Sequence, residues 1–246
     1  MEGSPIYSYR FEKRSWADRL FAFLEVLGLA GILSGLVAAL PFSLHAGNHA
    51  ILLKDARLIA CFLLLEAFVT LLLMLLILRL HRESLADLGW NWDHWISDLL
   101  LGVSLVPILF LVSLLVALGF KVLLPNYYTD RNPLIESIQS PGDLALFIVA
   151  ALFAGGVKEE LQRAFVLVRF RDYLGGAKLG LVIWSVAFGA GHYLQGVQNA
   201  VAAGLFGLLF GAVYLARGSL VAPMVAHGAY DSLALLAYWF LRRVSG

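Results

Sequence analysis

The sequence predicts an all-α fold, a polytopic transmembrane helical bundle of about seven spans, each near the 20 apolar residues needed to cross a hydrocarbon core roughly 30 Å thick. Three observations carry this. Hydrophobic residues make up 61% of the chain and charged residues 14%, where a soluble domain carries about a quarter charged. Mean hydropathy is +0.82. The charged residues also cluster between long apolar runs instead of alternating with apolar positions along them.

Residues 1–246 therefore read as a single membrane domain, with three N-terminal spans in 20–124 and a four-helix core in 144–241. A net charge of +1 gives no basic field for nucleic acid, so that partner is excluded and the lipid bilayer takes its place. The single cysteine, Cys61, lies in an apolar run and cannot form an internal disulfide.

The first run, 20–40, follows Arg10, Lys13, Arg14 and Arg19 and superficially resembles a signal peptide. It exceeds the usual 7–15 apolar residues of such a segment. It also contains Glu25 and a Gly31-x-x-x-Gly35 pair suited to close helix packing, so it reads as a retained first helix. Runs 58–78 and 99–120 are the second and third spans, with Pro107 expected to kink the third. Between them, Trp90, Trp92 and Trp95 fit an aromatic belt on the membrane surface.

After the polar connection 125–143, the fourth run begins at 144, is interrupted by Lys158-Glu159-Glu160, and resumes as LQRAFVLVRF. Neither Gly nor Pro occurs from Val157 to Leu174, ahead of Gly175-Gly176, which predicts one long helix with charges in its interior. Runs 179–194, 200–216 and 220–241 follow as antiparallel neighbours, with Gly204, Gly207 and Gly211 along one side of the sixth span for close packing. Lys and Arg near the helix ends are biased towards a cytosolic N-terminus.

Ionisable side chains at membrane depth are costly and mark functional positions. Six stand out: Glu159, Glu160, Arg163, His192, His227 and Asp231. Residues four apart share a helix face, which predicts a Glu159–Arg163 pair and a His227–Asp231 pair. Glu159 lies about as far before the Gly175-Gly176 turn as His192 lies after it, roughly 24 Å at the helical rise, so the two come to similar depth. His227 is only a short way into the last helix, so a shared site requires staggered or tilted helices. A carboxylate and two imidazoles can hold a metal such as zinc, or the carboxylate can act as general base on a water while imidazole stabilises an oxyanion. Glu25 and Glu66, in the first two spans, are expected to bond across helices, and Glu66 could line a cavity. Buried Glu, His and Asp are also relay groups in proton-coupled transporters; the lack of an internal repeat argues against that class.

The segments KEELQRAF, FGAGH and HGAYD resemble, in order, the Glu-Glu-x-x-x-Arg, Phe-x-x-x-His and His-x-x-x-Asn/Asp motifs of the CPBP intramembrane proteases. That family includes type II CAAX prenyl endopeptidases and bacteriocin-processing or immunity proteins. The resemblance spans roughly 144–241. It implies a multi-pass protein of a bacterial plasma membrane that hydrolyses a peptide bond in a membrane-associated, prenylated or other, peptide or protein substrate. Glu159 with His192 would activate water, His227 with Asp231 would stabilise the oxyanion, and Arg163 and Glu160 would hold the helix in register or bind a substrate carboxylate. Within the family both zinc-dependent and metal-free mechanisms are proposed; a zinc ion here would take Glu159, His192 and His227. The first motif is one residue short between the Glu pair and Arg163. If Arg163 sets the register, Lys158 replaces the first Glu; if the Glu pair does, Arg163 moves about 100° around the helix. A family member that has lost activity and acts as an immunity or scaffold protein is the alternative.

Overall fold

The computed structural model describes residues 14–29, 33–45 and 54–245. The helices are α1 (Trp16–Leu27), α2 (Leu33–His45), α3 (Ala56–His81), α4 (Trp95–Leu123), α5 (Pro133–Glu136), α6 (Pro141–Ala150), a π-helical stretch Ala151–Glu159, then α7 (Glu160–Asp172), α8 (Ala177–Gly191), α9 (Val197–Arg217) and α10 (Val221–Ser245).

Local chemistry sets most of these boundaries. Ser15 and Asp18 form a capping box at the start of α1, and Ser140 and Asp143 form another at α6, where Pro141 occupies the first turn. The Asp55 carboxylate accepts from the backbone N–H groups of Arg57 and Leu58 to start α3. The helix α4 runs unbroken through Pro107. The reversal between α7 and α8 needs left-handed backbone at two successive positions, φ +101° at Gly175 and +104° at Gly176, where a side chain would be strained.

The long helix expected before that reversal is present as α6, the π-helical stretch and α7 end to end, and sequence alone did not foresee its π-helical middle. There the backbone bonds skip one residue further than in an α-helix, a geometry that concentrates at functional sites. Residues 160–170 are all buried, so α7 is the central helix of the molecule. A helix buried on every side must satisfy its charges inside the protein, and Glu160, Arg163 and Arg169 do so.

Around α7 the other helices pack closely. Leu161, Phe165, Leu167 and Val168 meet Met74 and Leu78 of α3, Tyr214 of α9 and Leu88 of the loop before α4. Gly204 and Gly207 of α9 lie against Ser185, and Gly211 lies against Leu181, so the close packing expected of them is made with α8. On the other side, α10 is wedged between α4 and the π-helical stretch, with Gly102 under Ala222 and Val225 and Gly156 against Gly228. Glu25 bonds across helices as anticipated. Its carboxylate accepts from Arg169 at 2.7 Å and lies 2.5 Å from His81, while Arg169 also bonds Glu83 twice, at 2.7 and 3.0 Å.

Among the described residues three helices are long and apolar enough to cross a membrane, α3, α4 and α9, and α8 is a shorter apolar helix. Their outer faces expose Leu72, Leu75 and Leu76 on α3 and Leu111, Leu114 and Leu118 on α4, surfaces suited to lipid. The chain is an integral membrane protein whose described residues form helices and no strands; three of these helices meet the length and apolarity for a span, where the sequence predicts about seven. The expected first span contains α1 and α2, and residues 30–32 between them are outside the described residues, as are Arg10 and Lys13, so Gly31 of the packing pair is among those not described. The Trp90 region is also more than a surface strip, because Leu88 is fully buried against α7, although Trp92 and Trp95 remain exposed.

Candidate active site

Five of the six candidate residues meet at the junction of the π-helical stretch, α7 and α10. Glu160, the first residue of α7, is fully buried between two partners. The His227 Nδ1 lies 2.7 Å from its Oε1, and Arg163 Nη1 pairs with its Oε2. The expected Glu159–Arg163 pair is therefore replaced by Glu160–Arg163, three residues apart, an equally close spacing on a helix. Arg163 itself is fully buried, its guanidinium 5.1 Å from the Phe188 ring centre and 5.3 Å from that of Phe210. Two aromatic faces thus take the place of water around the cation.

The other ring nitrogen of His227 faces the open side. Its Nε2 is 3.7 Å from Glu159 Oε2 and 3.5 Å from Asp231 Oδ2, the latter pair one helical turn apart as the spacing predicted. Side-chain exposure rises outward, from none at Glu160 and 6% at His227 to 19% at Glu159 and 32% at Asp231. Glu160 is sealed in, and Glu159 and Asp231 line the accessible rim. The His227 ring stacks on Phe210 with centres 5.0 Å apart, which fixes its plane. The early position of His227 in α10 is compensated by the way α10 crosses the π-helical stretch.

Gly155 makes this crossing feasible. A Cβ there would lie 2.8 Å from Asp231 Oδ2 and 3.4 Å from His227 Nε2. Sequence reasoning missed Gly155; its adjacency to Gly156 just ahead of the charged triplet is the signal that was available.

His192 closes α8 and stands one ring away from the cluster. Its Nδ1 donates to the Phe188 carbonyl at 2.8 Å, because a carbonyl can only accept, and this caps an orphaned carbonyl of the helix end. The Phe188 ring lies 4.5 Å from the His192 ring and 6.1 Å from the His227 ring. His192 remains near enough for electrostatic coupling to both Glu159 and Asp231.

Lys158 is the second residue that sequence reasoning passed over as part of the site. It is buried, and its Nζ lies 2.9 Å from Glu66 Oε2 of α3 and 3.6 Å from Glu159 Oε1. Glu66 also accepts from Thr70 at 2.9 Å. A cavity of about 250 Å³ elsewhere, bounded by Trp90, Trp92, Trp95, Leu99 and Met224, contains none of the six candidates.

The geometry does not form a zinc centre: among the described residues no three His, Cys, Asp or Glu side chains converge as ligands. The Glu159, His192 and His227 set anticipated for zinc is thus not gathered, and the metalloendopeptidase reading is without support.

Residues 140–233 match the family model described as type II CAAX prenyl endopeptidase Rce1-like. The match covers less than half of the chain, contains all six candidate residues, and agrees with the CPBP resemblance. No curated protein and no solved structure matches the chain.

Proposed function

From the Rce1-like match over residues 140–233, we propose that the protein is an intramembrane endopeptidase that hydrolyses a peptide bond in a membrane-associated, CAAX-type substrate. The observation that carries this reading is the division of labour between the two glutamates: Glu160 is sealed between Arg163 and His227, while Glu159 faces the accessible side of His227 Nε2.

In this reading Glu159 is the general base. It takes a proton from a water, assisted electrostatically by His192, and the hydroxide adds to the peptide carbonyl carbon. Glu160, an acceptor opposite His227 Nδ1, fixes that nitrogen as the donor. The proton-bearing state of Nε2 is then the imidazolium, which can donate to the oxyanion, with Asp231 orienting the ring. Glu159 finally passes its proton to the leaving amine as the carbon–nitrogen bond breaks, which leaves a carboxylic acid and an amine. The burial of Glu160 and Arg163 argues that they hold α7 and His227 in register and do not meet substrate. No step requires a metal ligand set.

The test uses purified protein in phosphatidylcholine liposomes with an internally quenched peptide that bears an S-farnesyl cysteine followed by three residues. Cleavage by the wild type, with loss in His192→Ala and His227→Ala variants that remain folded, is the expected result. Unchanged cleavage in either variant removes the assigned role. The shortened first motif favours one second reading, a non-catalytic immunity or scaffold protein. That reading predicts no cleavage by the wild type and a phenotype that survives both substitutions.

A further inference from the structure

An ammonium group in a protein interior costs several kcal/mol unless it is paired. Lys158 is paired twice, and unequally. Glu66 sits within hydrogen-bond distance at 2.9 Å, whereas Glu159 stands at 3.6 Å. On its far side Glu159 meets His227 at 3.7 Å. Both of its nearest cationic groups therefore stand at ion-pair distance and not at hydrogen-bond distance, which holds the carboxylate by charge without occupying its lone pairs.

The groups facing Glu159 are Lys158, Glu160 and Arg163 from its own helix, Glu66 of α3 across Lys158, His192 of α8, and His227 and Asp231 of α10. Among these groups the permanent cations are Lys158 and Arg163. Arg163 is committed to Glu160, so Lys158 is the permanent cation next to Glu159. Glu66 lies outside the Rce1-like segment, on a helix that the motif residues do not belong to.

We infer that Lys158 is a positioning residue that keeps the Glu159 carboxylate ionised and aimed at His227, and that Glu66 of α3 tunes this by sharing the same ammonium. The inference rests on the reading of Glu159 as the base. It assigns a part of the site to the N-terminal half of the chain, and it gives the lysine that stands at the shortened motif a chemical task.

The two partners act in opposite directions. Lys158→Met removes the permanent cation next to Glu159, so Glu159 should bind its proton more readily. Glu66→Gln removes a competing negative charge, so Glu159 should bind its proton less readily. The direct readout is infrared difference spectroscopy of the full-length protein in phosphatidylcholine liposomes, following the protonated carboxyl band that disappears in Glu159→Gln. Compared with the wild type, the midpoint of that band should move up by about one pH unit or more in Lys158→Met, the scale of one close ion pair. It should move down in Glu66→Gln and return towards wild type in Lys158→Arg. An unmoved midpoint in Lys158→Met overturns the inference. Should that variant fail to fold, an unmoved or raised midpoint in Glu66→Gln overturns it equally. Farnesylated-peptide cleavage in the same liposomes separates the two ideas. Shifted midpoints without cleavage by the wild type remove the peptidase reading and leave the positioning role, whereas cleavage with unshifted midpoints removes the positioning role alone.

Discussion

Gly155→Ala should nearly abolish peptide cleavage while leaving the helical bundle intact. The added methyl carbon would start 2.8 Å from Asp231 Oδ2 and 3.4 Å from His227 Nε2. Ordinary contact begins near 3.4 Å, so the Asp231 oxygen must retreat by roughly 0.6 Å and His227 has no slack to follow it. The obstacle is the end of a side chain and not a backbone atom, which limits the cost of overpacking to the lower part of the usual 1–3 kcal/mol. Replacing a helical glycine returns about 1 kcal/mol, so the net change in stability should be small. Chemistry is far less tolerant, since a misplacement near 1 Å can cost about 100-fold. The assay is the cleavage rate in liposomes alongside thermal unfolding in detergent. A variant with wild-type rate and wild-type melting would refute the packing argument, because it would mean that Asp231 and His227 do not need the position in which Gly155 leaves them.

Three further outcomes follow from the same geometry. Arg163→Met should lower stability by about 3–5 kcal/mol, because it strands the buried Glu160 carboxylate. Adding Glu160→Gln should recover much of that loss in thermal unfolding, and no recovery would show that the pair is not what holds α7. Arg169→Met should loosen α1 from α7, since Arg169 is buried and bonds both Glu25 and Glu83. Faster hydrogen exchange in α1, with the α7–α10 contact still protected, is the expected pattern. Gly180→Ala should destabilise the α7–α8 hairpin by about 1–3 kcal/mol, because its Cβ would fall 2.5 Å from the Phe170 Cβ; unaltered melting contradicts that packing.

The residues that meet in the site were legible in the sequence because charge is rare at membrane depth and the three motifs lie in fixed order. The His227–Asp231 pairing, the glycine face of α9 and the cross-helix role of Glu25 followed from helical spacing and burial cost alone. The π-helical stretch was not legible, because no residue pattern distinguishes a π-turn from an α-turn beforehand, and helical spacing alone did not decide between Glu159 and Glu160 as the partner of Arg163, since i,i+3 and i,i+4 residues are both neighbours on a helix. Lys158 and Glu66 lie 92 positions apart, so their pairing has no local signature.

The most direct test of the central claim compares Glu159→Gln with Glu160→Gln in the reconstituted farnesylated-peptide assay, with folding checked in parallel. Loss of a general base costs about 10²–10⁴-fold in rate. Glu159→Gln should therefore lose cleavage by that factor at unchanged melting temperature, while Glu160→Gln should show its main effect as a lowered melting temperature. Wild-type cleavage by a folded Glu159→Gln protein would contradict the account.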